Sequence, residues 1–262
     1  MTDEDFIIEL FCRVDDQMKD VKKHPQAHLY PSELVTIGIV FALKGVGTRA
    51  FYRWFSRNFA QLFPRLPERT RLFRALKTHA RWGQRFLVAP SMIGLADSFG
   101  IELIHPRREG RSKHPMGRKG LSNQRWIVGG KLGVLLNHLG LVVNWDCATA
   151  NAYDGTVFQN LIDSVQDEMV VFADVHFIKN NWHPTNLRPC KRGVWNSRML
   201  VETFLSMLTV VSHFKHLTHR VWVYFEMRLA FTMAMFNILV QWHGLTPDAD
   251  GFVRLSIAEF SL

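Results

Sequence analysis

The sequence predicts an α/β protein, a mixed sheet flanked by helices and preceded by an all-α N-terminal region. Three observations predict it. Up to about residue 88, apolar residues recur at helical spacing, with Pro and Gly between the runs. From about residue 89, short apolar stretches follow in the order strand, hairpin, helix, strand, strand, helix. Hydrophobic residues make up 47% of the 262 and charged residues 21%, enough to bury a core and too apolar for disorder. The expected division is a helical region over 1–88 and a sheet domain over 89–262.

Pro31-Ser32-Glu33 opens an apolar helical run that ends at Lys44-Gly45, with Ser32 as its cap and Gly45 as its stop. Thr48 opens a second helix. Its Phe51, Trp54, Phe55, Phe59 and Leu62 form one apolar face, while Arg49, Arg53 and Arg57 recur every fourth residue as a basic stripe. Pro64 and Pro67 break the chain. A third helix follows, with Leu72, Phe73 and Leu76 inward and Arg71, Arg74, Arg81 and Arg85 outward. Short helices with aromatic cores and arginine faces suit a helix-turn-helix-like DNA-binding module.

In the second part, Met92 to Ala96 reads as a short strand ending at Asp97. Residues 105–125, with two Pro and three Gly, read as a basic loop. Lys131 to Asn137 and Leu141 to Asp146 form a hairpin that turns at His138-Leu139-Gly140. Asp154 is read as the cap of a helix that buries Val157, Phe158, Leu161, Ile162 and Val165. Met169 to Ala173 is a buried strand ending at Asp174, and Leu187 begins another short strand after Pro184. Two long helical stretches close the chain, about 196–214 and 219–241.

The net charge is +9, but it is not spread evenly. Residues 44–85 hold eleven Lys and Arg against Glu68 alone, and residues 105–131 hold eight against Glu109 alone. Confined basic blocks point to a polyanionic partner such as nucleic acid more strongly than the total does. The three cysteines are far apart and form no Cys-x-x-Cys pair, which excludes a zinc ribbon and a disulfide framework. The acidic start does not read as a signal peptide. The twelve apolar-rich residues from Leu229 to Val240 fall short of the roughly 20 that a bilayer span needs. No membrane partner is expected.

Three acids stand out. Asp97 and Asp174 close apolar strands, where a carboxylate is costly unless a cation is near. Glu202 sits within an apolar helical run, four residues after Arg198, which either pairs with it or holds a phosphate. Three acids meeting at one sheet edge would suit Mg²⁺ or Mn²⁺ and two-metal phosphoryl transfer. His213, His216 and His219 are read as a solvated or partly buried set rather than a metal stripe, and Cys147 as an inert strand residue.

The same residues carry a resemblance. Ala96-Asp97-Ser98-Phe99, Val171-Phe172-Ala173-Asp174 and Arg198-Met199-Leu200-Val201-Glu202-Thr203-Phe204 resemble the three acidic motifs of bacterial insertion-sequence DDE transposases. Gly130-Lys131-Leu132-Gly133-Val134-Leu135-Leu136-Asn137 resembles their second strand, and residues 148–154 resemble the segment leading into the next helix. Phe51-Tyr52-Arg53 and Phe63-Pro64-Arg65-Leu66-Pro67 resemble their helical N-terminal region.

The resemblance implies an RNase H-like catalytic core with Asp97, Asp174 and Glu202 as catalytic metal ligands for Mg²⁺ or Mn²⁺. It implies double-stranded DNA as partner, both the terminal inverted repeats and the target, with a homodimer in the synaptic complex. The location it implies is the cytoplasm of a bacterium, at the nucleoid. Arg49, Arg53, Arg57, Arg71 and Arg74 would contact DNA from the N-terminal helices. Arg107, Arg108, Lys131 and Arg198 would do so beside the acids. The family pattern has Tyr, Lys and Lys-Gly-Tyr where this chain has Trp195, Thr209 and Val175-His176-Phe177. Those departures keep two other readings open: a decayed DNA-binding remnant of the same fold, and a metal-dependent nuclease without strand transfer.

Overall fold

The computed structural model describes residues 1–111, 116, 118–122, 125–174, 182, 184–190, 198–217, 219–246, 253, 255–260 and 262. Val175, His176, Phe177 and Trp195 lie outside the described residues.

Four helices open the chain: α1 (Asp3–Gln17), α2 (Pro31–Lys44), α3 (Thr48–Asn58) and α4 (Arg69–Thr78). α1 starts with a capping box, in which Thr2 Oγ1 accepts from Asp5 N–H and Asp5 Oδ2 accepts from Thr2 N–H. At α2 the boundary differs from the expectation. Pro31 is the first helical residue and Tyr30 the N-cap, so Ser32 lies inside the first turn. The Tyr30 N–H donates to Glu33 instead, at 2.6 Å. Pro suits that first position because its missing N–H would have no helical partner there. Gly45 does stop the helix, in the left-handed region at φ 64°.

The last long helix, α7 (Trp222–His243), is apolar on every side and runs through the middle of the protein. It packs on α2 and on the 3-10 helix Ala80–Phe86. Gly38 of α2 makes the close approach possible, since a Cβ there would stand 2.7 Å from the Phe231 ring. By length and composition α7 could cross a membrane, yet 83% of its most apolar window is buried inside the fold. Its apolarity is that of a core helix.

Among the described residues the sheet has six strands: β1 (Ile93–Ile104), β2 (Gly120–Ser122), β3 (Arg125–Asn137), β4 (Val142–Thr149), β5 (Val170–Asp174) and β6 (Leu187–Cys190). Across the sheet the order is β4-β3-β1-β5-β6, with β2 added at the first end of β3. β3 runs antiparallel to both of its neighbours, β1 and β4, while β5 and β6 run parallel to β1. The expected mixed sheet flanked by helices is therefore present. Several boundaries change: β3 begins at Arg125 rather than Lys131, β4 runs on to Thr149, and β2 lies within the stretch expected as a loop. β1 continues seven residues past Asp97, because Phe99, Ile101 and Leu103 keep alternating onto the core side. α5 (Asp154–Asp163) has Tyr153 as N-cap, so Asp154 is its first helical residue.

One sheet face packs on α5 through Leu135, Phe158, Ile162 and Val171. The other faces a larger cluster that includes α6 (Arg198–Val211), α7 and the N-terminal helices. That cluster is continuous across residue 88, from Phe6 and Phe41 to Phe236 and Phe260.

Candidate acidic site and nucleic-acid interface

The parallel pairing of β1 and β5 sets Gly94 beside Val171 and Leu95 beside Phe172. Carrying this register two residues on puts Asp97 level with Asp174, the last residue of β5. Equal registers on adjacent parallel strands point to the same face. That face is the one bearing Leu95 and Val134, toward α6 and α7, since Asp97 pairs with Val134 across β3. Both carboxylates are half-buried, and Asp97 Oδ1 also accepts from Ser98 N–H at 2.7 Å. Asp97 is thus not at the end of its own strand. It stands level with the last described residue of β5.

The third acid is placed differently. α6 packs against β1 and buries Val201, Phe204, Leu208 and Val211, but Glu202 lies on its exposed side. Among the described residues no three of His, Cys, Asp and Glu gather closely enough to hold a metal ion. Two level carboxylates do match the oxygen ligands that Mg²⁺ prefers. Arg198 begins α6, but its side chain lies outside the described part. Thr209, on the same helix, turns its hydroxyl back to the Leu205 carbonyl at 2.7 Å.

The arginines are where the stripes placed them. Arg49, Arg53 and Arg57 on α3 and Arg71 and Arg74 on α4 are all exposed. Their helices are held from behind by an aromatic cluster in which the Phe41 ring meets Phe51 and Phe73 edge-on at 5.0 and 4.9 Å. The connection from α3 to α4 spans residues 59–68, too long for a helix-turn-helix turn of about three or four residues. The short turn lies one step earlier. Gly45-Val46-Gly47 joins α2 to α3 with a bend of 118°, and α3 carries the arginine stripe. Gly45 reads in the sequence as a helix stop, and the second glycine two residues on is the signal for a tight turn into the next helix.

In the second basic block, Arg107 and Arg108 are exposed on a 3-10 turn that follows β1. Lys131 is not on the surface. It is 7% exposed and donates to the Ala152 carbonyl at 3.0 Å, tying β3 to the segment before α5. The histidines do not share a helix face. His213 is a left-handed cap at φ 52°, while His219 is buried just before α7. Burial, then the charge of Arg228, pushes the His219 imidazole down to about 3. Cys147 is half-buried on β4, and burial pushes its thiol up, followed by repulsion from Glu226 and Asp146. That suits an inert strand residue.

No protein-family model matches the chain, and no curated protein matches it.

Proposed function

We propose that the chain is a DDE-type DNA transposase with an RNase H-like core, binding its element's terminal repeats through the N-terminal helices. The observation that carries this reading is the level placement of Asp97 and Asp174 on neighbouring parallel strands, on the sheet face that α6, the helix bearing Glu202, packs against. Three antiparallel strands followed by two strands parallel to the first support the RNase H-like assignment. The α2-turn-α3 bend, with arginines along α3, supports duplex DNA as the ligand.

Asp97 and Asp174 would hold the ion, with Glu202 as the remaining carboxylate. When bound, Mg²⁺ or Mn²⁺ lowers the pKa of an attacking water and steadies the leaving oxygen. The arginines hold backbone phosphates and fix the duplex against the acids. Hydrolysis breaks a phosphodiester and leaves a 3′-hydroxyl on the element. That hydroxyl then attacks a target phosphodiester and releases a new 3′-hydroxyl, so no covalent enzyme intermediate is needed. Two such sites act together if the protein works as a homodimer.

The experiment is strand cleavage of a DNA carrying the element's ends, with Mg²⁺. The wild type should nick the end and join it to target DNA. Asp97→Asn cleaving as well as wild type would sink the assignment. A second reading is a DNA-binding remnant of the same fold, favoured by Glu202 on the exposed side of α6 and by Thr209 bonded to its own helix. It predicts tight duplex binding without metal-dependent cleavage. Recovery of hydrolysed ends alone, without joining, would favour a nuclease.

A further inference from the structure

We infer that a cleft at the start of α3 is a built seat for a nucleic-acid backbone phosphate, gripped from both halves of the chain. This rests on the proposed DNA-binding reading and deepens it. The cleft has a volume of about 770 Å³. Arg49, Arg53 and Arg69 line it from α3 and α4, and Arg220, His219 and Tyr224 line it from the start of α7. No acid is among its lining residues.

The helix ends around it differ from those of α1 and α2. α1 and α2 place acids in their first turns, which suits the positive end of a helix. α3, α4 and α7 begin at this cleft with no acid in the first turn and no side-chain cap; Glu68, the N-cap residue of α4, is exposed, makes no capping bond and does not line the cleft. Arg49 and Arg69 lie in the first turns of α3 and α4, and Arg220 just precedes α7. Cations at positive helix ends repel them, and uncapped N–H groups need an acceptor. A phosphate in the cleft answers both.

A buried group makes the same point independently. Arg228 lies on the face of α7 that carries Val221 and Tyr224, one turn below Tyr224. It is 1% exposed and donates one bond, at 2.5 Å, to the carbonyl of Val46, next to Gly47 in the cleft wall. Its Nε and Nη1 have no partner among the described residues. A guanidinium only partly compensated, behind the cleft, adds attraction for an anion in it. Arg220 and Tyr224 follow Arg49 by more than 170 residues, so a phosphate held here ties the DNA-binding helices to the core helix.

The test uses the full chain and a short labelled duplex of arbitrary sequence. Arg49→Gln/Arg220→Gln should weaken binding at least about tenfold and flatten the salt dependence by about one to two counterions. Lys19→Gln/Lys22→Gln, which removes the same charge from the segment after α1, should change it far less. Equal losses in both would mean diffuse attraction and would overturn the cleft.

Gly47→Asp separates folding from binding. Gly47 is the N-cap of α3 at φ −71°, ψ 156°, and a Cβ there meets nothing within 4 Å. The carboxylate should cap α3 and raise the melting temperature, while occupying the anion's place and weakening DNA binding. Unchanged binding by both cleft variants would overturn this proposal and leave the DNA-binding reading intact. A wild type that binds no duplex would remove both. Inorganic phosphate raising the melting temperature, while duplex binding ignores the cleft, would mark a free-anion site instead and overturn it too.

Discussion

Asn237 and Val142 exchange two hydrogen bonds in the core. Asn237 Oδ1 accepts from Val142 N–H and its Nδ2 donates to Val142 O, both at 2.8 Å. Nδ2 also donates to Phe86 O at 2.9 Å. One buried amide thus joins α7, the first residue of β4 and the end of the 3-10 helix at 80–86. Asn237→Leu keeps the volume but takes the partner from Val142 N–H and Phe86 O, while Val142 O keeps the bond it accepts from Val88 N–H at 3.1 Å. At about 1–3 kcal/mol for each buried group left unsatisfied, the expected loss is about 2 kcal/mol or more. Urea unfolding checks it, and a loss below about 1 kcal/mol would mean that the junction relaxes around the change.

That junction shows what could be read in advance and what could not. The helices α3 and α4 were legible because their apolar residues keep strict helical spacing, and Phe51, Phe55, Leu72 and Leu76 are indeed fully buried. The hairpin was legible from Gly140, which takes φ 79° at the turn. β1 was read too short because Asp97 and Ser98 interrupt its hydrophobicity. The alternation Phe99, Ile101, Leu103 was the signal that it runs on. Asp97 and Asp174 were legible as residues, but their shared level is a matter of strand register, which only the pairing of Leu95 with Phe172 reveals. Lys131 misled for the opposite reason. Its charge suggested a surface, while its long stem allows an ammonium to reach the Ala152 carbonyl from a buried position. The arginine cleft was beyond reach, since Arg49 and Arg220 meet only through the packing of α2 on α7.

Asp97→Asn and Asp174→Asn should each lower metal-dependent cleavage at least about 100-fold, while leaving duplex binding within about threefold. Each removes a charged oxygen ligand and no phosphate contact. Glu202→Gln separates the two functional readings. In a working transposase it costs as much as the aspartates. In a remnant none of the three variants changes anything measurable beyond binding. Parallel cleavage and anisotropy measurements on the three variants decide it.

His219 predicts an acid-sensitive fold. Its imidazole is pushed down to about 3 in the folded protein, against an ordinary value of 6.5. Below pH 6.5 the unfolded chain takes up a proton that the folded one cannot accept until about pH 3. Stability is therefore full above that ordinary value and falls as the pH drops through this window. Between about pH 7.5 and about pH 5 the loss from this group is about 2 kcal/mol. His219→Asn has no such proton to take up. Its urea midpoint should fall less over the same range, and an equal fall in both proteins would assign the acid sensitivity elsewhere.

Arg228 predicts a trade between stability and binding. Burial pushes its guanidinium down to about 9, so it remains charged at neutral pH, with the Phe41 ring 3.8 Å from its central carbon. The ring contact and the bond to Val46 offset only part of the cost of desolvating a cation, because two of its nitrogens have no partner among the described residues. Arg228→Met fills similar space without charge. Replacing buried charge with a packed apolar side chain is often neutral or stabilising by about 1–4 kcal/mol. Loss of the Val46 bond takes back about 1 kcal/mol, so a net gain of about 1–2 kcal/mol is expected. The same change removes the positive potential behind the arginine cleft, so duplex affinity should fall as the melting temperature rises. A variant less stable than wild type, with unchanged affinity, would instead make Arg228 a structural clamp on the α2–α3 turn. A rise in stability with lower affinity is what a cation retained for binding requires, since among the described residues no carboxylate pairs with it.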